Sequence, residues 1–136
     1  MKTSPPERFP LLAAGLLGAA GVALGALGAH RLQPLLMERG MTHSWETGSR
    51  YHLIHVVALL ALAAFLRAEP AGPRSSRLAL ASGCWTTGVL LFSGSLYWFA
   101  LGGPHALVYV TPVGGVALIA GWILVIAAAL RKSTTA

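Results

Sequence analysis

The chain has 136 residues, 55% of them hydrophobic and 10% charged, with a formal net charge of +6. Soluble domains carry about 25% charged residues, so this composition, with a mean hydropathy of +0.67, excludes an ordinary soluble domain, and the length suits one domain, residues 1–136. The basic excess does not mark a nucleic-acid binder. Lys and Arg fall in short segments between long apolar runs, with no basic face and no aromatic RNA-binding motif.

A helix needs about 20 mostly apolar residues to cross a bilayer. Four segments meet that need, at about residues 10–29, 51–66, 78–101 and 107–130, and none holds Asp, Glu, Lys or Arg. The first is too long for the 7–15-residue apolar region of a cleaved leader, so it is expected to be retained as a span. Between the first two spans, "LQPLLMERG" predicts a short interfacial helix, with Pro34 in its first turn and Gly40 as its stop. The expected architecture is all-α: an integral membrane bundle of four transmembrane helices with that short helix in the first loop.

Four spans put both termini on one side. That side carries Lys2, Arg8, Arg67, Arg74, Arg77, Arg131 and Lys132, while the other carries Arg31, Arg39 and Arg50. The positive-inside rule then makes the termini and the loop at about residues 67–77 cytoplasmic. His30, His43, His52, His55 and His105 all fall toward the opposite face on this reading. Most of Trp45, Tyr97, Trp98 and Tyr109, near the same face, read as interfacial anchors.

Membrane helices associate by close packing, which small residues permit. Gly21, Gly25 and Gly28 in the first span, Gly94 in the third, and Gly114 and Gly115 in the fourth are the expected packing glycines, with the first span at the centre of the bundle. The candidate polar site is His30, Tyr51, His52, His55, Ser93, Ser95 and Thr111. His52 and His55 are three residues apart and share a helix face. His30 ends the neighbouring antiparallel span, so the three imidazoles are expected to converge. They could lock helix ends, carry protons, or ligate a metal or haem. Thr111 and Pro112 read as the N-cap and first helical residue of the last span. Cys84 lies alone in an apolar run and reads as a packed residue.

The motifs "GALGAHRL" (Gly25–Leu32), "TGSRYHLIHVVALLAL" (Thr47–Leu62), "LLFSGSLYWFAL" (Leu90–Leu101) and "VTPVGGVALIAGWILV" (Val110–Val125) resemble, in this order, the bacterial YgdD/YwdK-type family of small membrane proteins. That is a domain-of-unknown-function group with a small eukaryotic transmembrane relative. The resemblance covers nearly the whole chain after the first ten residues. It implies a four-span plasma-membrane protein with no assigned activity, and it singles out Gly28, His30, Tyr51, His55, Ser93, Gly94, Ser95, Tyr97, Thr111, Pro112, Gly114 and Gly115. The chain departs from the family at Leu27, often aromatic there, and at His52, often glutamine. This favours His30 and His55 over His52 as the essential pair.

No span carries the carboxylate that small proton-coupled exporters use. No Walker, dinucleotide, zinc-protease or serine-elbow motif is present. The expected protein is therefore a non-enzymatic structural or accessory component of the bacterial inner membrane, with no cofactor and no protein-bound metal. Its expected partners are membrane lipids and either further copies of itself or another membrane protein. The rival expectation is a small-solute or proton pathway gated near His30, Tyr51 and His55. A metal- or haem-binding membrane protein is a third.

Overall fold

The computed structural model describes residues 5–69 and 71–130, with side chains from Arg8 onward. Among these residues the regular structure is all helix: α1 (Pro5–Ala29), α2 (Gln33–Glu38), α3 (Thr42–Ala68), α4 (Pro73–Ala100) and α5 (Leu107–Ala129). Helices α1, α3, α4 and α5 are long and apolar enough to cross a membrane, so the all-α, four-span architecture is the one observed. Of the basic residues used to orient the chain, Lys2, Arg131 and Lys132 lie outside the described residues.

Two helices begin before their expected spans, and the cap expected for the last span is displaced. Helix α3 begins at Thr42, nine residues before the apolar run at Tyr51. The "TGS" within it is helical because Gly48 packs against α4, where a Cβ would lie 3.3 Å from both Leu96 Cβ and Tyr97 Cε1. Helix α4 begins at Pro73, with the Gly72 N–H donating to Ser75 Oγ at 2.9 Å. Helix α5 begins at Leu107, so Pro112 sits inside it and Thr111 is not its N-cap. The short α2 starts at Gln33–Pro34 and stops where Gly40 takes a φ of +64°, a left-handed conformation open to glycine. Its Leu36 is buried against Trp45, Tyr97 and Ala100, while Met37 stays exposed.

The helices pack in the order α1, α3, α4, α5, with α4–α5 the most extensive pair and α1 only lightly on α4. The first span is therefore peripheral, not central. Of the apolar stretch of each helix, 17% is buried in α1 against 44% in α4. The glycines account for the pairing. On α1, Gly18 faces Val56, Gly21 faces Leu53 and His52, Gly25 faces Ser49, and Gly28 lies under the Trp45 indole. Between α4 and α5, Gly88 receives Leu118, Gly121 receives Trp85, and Gly114 lies against the backbone of Phe92. A Cβ at Gly115 would meet only the Phe92 ring, at an ordinary 3.7 Å. Gly94 is a correction: a Cβ there would meet nothing within 4 Å, so Gly94 packs against no neighbouring helix.

These contacts set the depth of every residue. Gly18 is level with Val56 of α3, and Gly88 with Leu118 of α5. The spans Arg8–Ala29, Thr42–Ala68 and Leu107–Ala129 have their midpoints at Gly18–Ala19, His55 and Leu118. All three midpoints fall at one level, and Gly88 joins them from α4. His55 thus lies at the middle of the bundle rather than at its mouth, and His52 one turn above it. Only His30, His43 and His105 remain near the end face.

The core divides around this level. One cluster holds Ala13, Ala14, Leu59, Leu62, Leu66, Leu78, Ala81, Trp85, Val89, Leu118 and Ala128; the other holds Leu36, Trp45, Tyr97 and Ala100. Two of the expected anchors, Trp45 and Tyr97, are therefore core residues, while Trp98 and Tyr109 are exposed.

Candidate functional site

His52 and His55 project from α3 into the bundle, and each is 3% exposed. His52 Nε2 lies 2.9 Å from the Leu17 carbonyl of α1, and its Nδ1 lies 3.2 Å from the Tyr97 hydroxyl of α4. A carbonyl only accepts, so Nε2 carries the proton and donates. Nδ1 then accepts from Tyr97 in the neutral ring.

His55 has the opposite tautomer. Its Nδ1 lies 2.7 Å from the Tyr51 carbonyl, and the Trp122 indole of α5 donates to its Nε2 at 3.1 Å. An indole N–H only donates, so Nε2 carries the lone pair and Nδ1 the proton. The ring is packed edge-on between Trp85 and Trp122, with both centroids 6.0 Å away. Both imidazoles are thus satisfied as neutral groups, the low-cost state at membrane depth. A metal at either ring would have to displace an existing hydrogen bond, and the described residues hold no group of three His, Cys, Asp or Glu placed to share an ion.

The three expected imidazoles do not converge. His30 is exposed where α1 ends. Gly18, the α1 residue level with His55, lies twelve positions away, which is roughly 18 Å along the helix. It is His52 that ties α3 to α1, and His55 ties α3 to α5. Tyr51 is part-exposed, with its ring 4.8 Å from Phe92 and stacked 6.3 Å from His55.

The hydroxyl residues form a separate bridge. Ser95 Oγ and Thr111 Oγ1 lie 2.7 Å apart, with the Phe92 carbonyl 3.0 Å from the first and the Leu107 carbonyl 3.2 Å from the second. Each hydroxyl has one proton. One therefore joins the two oxygens and the other goes to a helix carbonyl, clasping α4 to α5. Ser93 is buried, and its hydroxyl has no partner among the described residues.

Sequence reading missed three partners: Trp45, Trp85 and Trp122. The Trp45 indole donates to the Leu24 carbonyl at 3.2 Å and fixes α3 on α1 about two turns above His52. Trp122 had a legible signal, because a tryptophan deep in a span needs an acceptor for its N–H. The acceptor's identity had none.

A bundle of four membrane-length helices, cross-linked inside by neutral histidines and hydroxyls, defines the class: a multi-pass α-helical membrane protein. Residues 24–115 match the family described as "Protein of unknown function (DUF423)". The chain is 39% identical over 127 residues to the "UPF0382 inner membrane protein YgdD" of Escherichia coli K12, covering 92% of each chain. It is 39% identical over 109 residues to a "UPF0382 membrane protein" of Haemophilus influenzae, covering 79% of this chain and 82% of the other. With YwdK of Bacillus subtilis the identity is 37% over 110 residues, 81% of this chain and 86% of the other. The chain belongs to this DUF423/UPF0382 family of membrane proteins. No solved structure matches it.

Proposed function

We propose that the protein is a non-enzymatic structural or accessory component of the bacterial inner membrane. It works in an assembly with copies of itself or with another membrane protein, and its termini and the 67–77 loop face the cytoplasm. The observation that carries this reading is the bonding of His52 and His55. Both nitrogens of both rings are engaged inside the bundle, so the polar groups best suited to chemistry are holding helices. The relative named an inner membrane protein supports the location. Outer faces bearing Leu12, Leu16 and Val22 on α1 and Val116, Ile119 and Ile123 on α5 are available to lipid or to a partner. Native mass spectrometry of protein released directly from its own membranes tests the proposal. A defined homo-oligomer or a stoichiometric protein partner is expected, and a monomer carrying only lipid overturns it.

A second reading, a proton pathway, draws on the hydrogen-bonded run Tyr97–His52–Leu17 carbonyl. That run replaces the gate expected at His30, Tyr51 and His55. Proton flux in proteoliposomes that disappears in His52→Ala would favour this reading, and flux no greater than in empty liposomes would remove it.

A further inference from the structure

Helices α3 and α5 flank α4 without packing along each other. Between them lies a groove of about 340 Å³. Its floor is Leu78 and Trp85 of α4, and its walls include Ala58 and Ala61 of α3 and Val125 and Ala129 of α5. The groove ends in two chemically different ways. At mid-bundle it meets the Trp122–His55 bond and the Trp85–Trp122 ring pair, whose centroids are 4.6 Å apart. At the other end stands Arg74, whose guanidinium lies 5.2 Å over the Phe65 ring and whose side chain is 45% exposed.

The length is informative. From Arg74 to Trp85 is eleven residues of α4, about 16 Å at helical rise. That is about half of a 30 Å hydrocarbon core. The groove therefore spans one leaflet, from the headgroup level to the midplane, which is the path of a single acyl chain. The charge at its mouth is also directional. Arg67, Arg74 and Arg77 border the loop between α3 and α4, where Glu69 is the one acid. Glu69 approaches Arg74 Nη1 at 3.4 Å, and Arg77 Nη1 is given to the Ala127 carbonyl at the end of α5. A guanidinium has five N–H donors, so Arg74 retains donors for a phosphate after meeting Glu69.

We infer that this groove binds one acyl chain of an anionic phospholipid, with the lipid phosphate held at Arg74. This assignment goes beyond the structural reading and does not depend on it, because it concerns a lipid site and not the protein's assembly state. Trp85 and Trp122 line the groove and serve as built-in reporters.

The test uses the full-length chain carrying Trp98→Phe, which removes the exposed tryptophan outside the groove, in phosphatidylcholine nanodiscs doped with a lipid brominated on its acyl chains, either phosphatidylglycerol or phosphatidylcholine. Brominated phosphatidylglycerol is expected to reach half-maximal tryptophan quenching at about fivefold lower mole fraction, the ratio that about 1 kcal/mol per basic residue at an anionic lipid surface provides. Arg74→Gln should abolish that preference, and Ala61→Phe, at an exposed wall position, should reduce quenching by both lipids. If Ala61→Phe does not fold, Ala129→Phe blocks the opposite wall. Equal half-quenching by the two lipids in the Trp98→Phe chain overturns the assignment. So does a preference that survives Arg74→Gln, or quenching that the wall substitution leaves intact.

Discussion

The two halves of the bundle, divided at the level of His55, are built on different principles. The half toward His30 is held by directed bonds between helices: Trp45 to Leu24, His52 to Leu17, Tyr97 to His52, and Ser95 to Thr111. The half toward Arg74 is mainly apolar, with Leu59, Leu62, Leu66, Leu78 and Ala81 at its core and one side-chain bond between helices described there, Arg77 to the Ala127 carbonyl. Both halves leave a groove between α3 and α5: one of about 360 Å³ between Ser44 and Thr111 over Phe92 in the bonded half, and one of about 340 Å³ over Leu78 and Trp85 in the apolar half. Only the second has a guanidinium, that of Arg74, in its lining. Where lipid and protein are equally apolar, burial gives little force to bring α3 and α5 together.

The comparison is tested most severely at the α4–α5 seam that both halves share. Gly114→Ala places a methyl into the backbone of Phe92, which cannot move without shifting α4. A loss of about 3 kcal/mol is expected, at the upper end for overpacking, read as the midpoint of a denaturing-detergent titration. An unchanged midpoint would mean that the seam is looser than described.

The boundary between the halves comes next. His55→Ala strands the Trp122 N–H and should cost about 2 kcal/mol, within the range for a buried donor left unpaired. In a Trp122→Phe background the same change should cost about 1 kcal/mol less, because no donor is stranded, an amount within the span measured for hydrogen bonds inside membrane proteins. Equal costs in the two backgrounds would show that the bond carries no coupling.

A smaller effect is expected from Tyr97→Phe, which removes the hydroxyl bonded to His52 and keeps the ring against Trp45. About 0.6 kcal/mol should be lost, the average for such bonds. A loss several times larger would indicate that Tyr97 and His52 act as a cooperative unit with the Leu17 carbonyl. The smallest effect belongs to Gly94→Ala. With open space around the new methyl and a better helix former in place, stability should stay within about 0.5 kcal/mol. A large loss there would restore Gly94 as a packing residue.

The sequence made some of this legible and hid the rest for identifiable reasons. His52 and His55 stood out because imidazoles are rare in apolar runs, and their shared face followed from three-residue spacing. Their depth was misjudged because "THSWETGSRYH" is polar enough to read as a loop, whereas burial of Trp45 and the close approach of α4 at Gly48 carry the helix through it. Gly21, Gly28 and Gly114 were recognisable as packing residues, but Gly94 looks the same in sequence and packs against nothing. His30 resembled a partner for His55 only while both were placed at the end of a helix.

Sequence by itself determined the four crossings, the all-α architecture and the family, because insertion of an apolar run into lipid is a property of that run. The tertiary structure alone decided which helix is peripheral, which tautomer each histidine holds and where the groove lies. In a membrane bundle the core and the surroundings are both apolar, so no hydrophobic stripe records which face of a helix turns inward. That rotation is decided only when the glycines and polar groups of neighbouring helices meet.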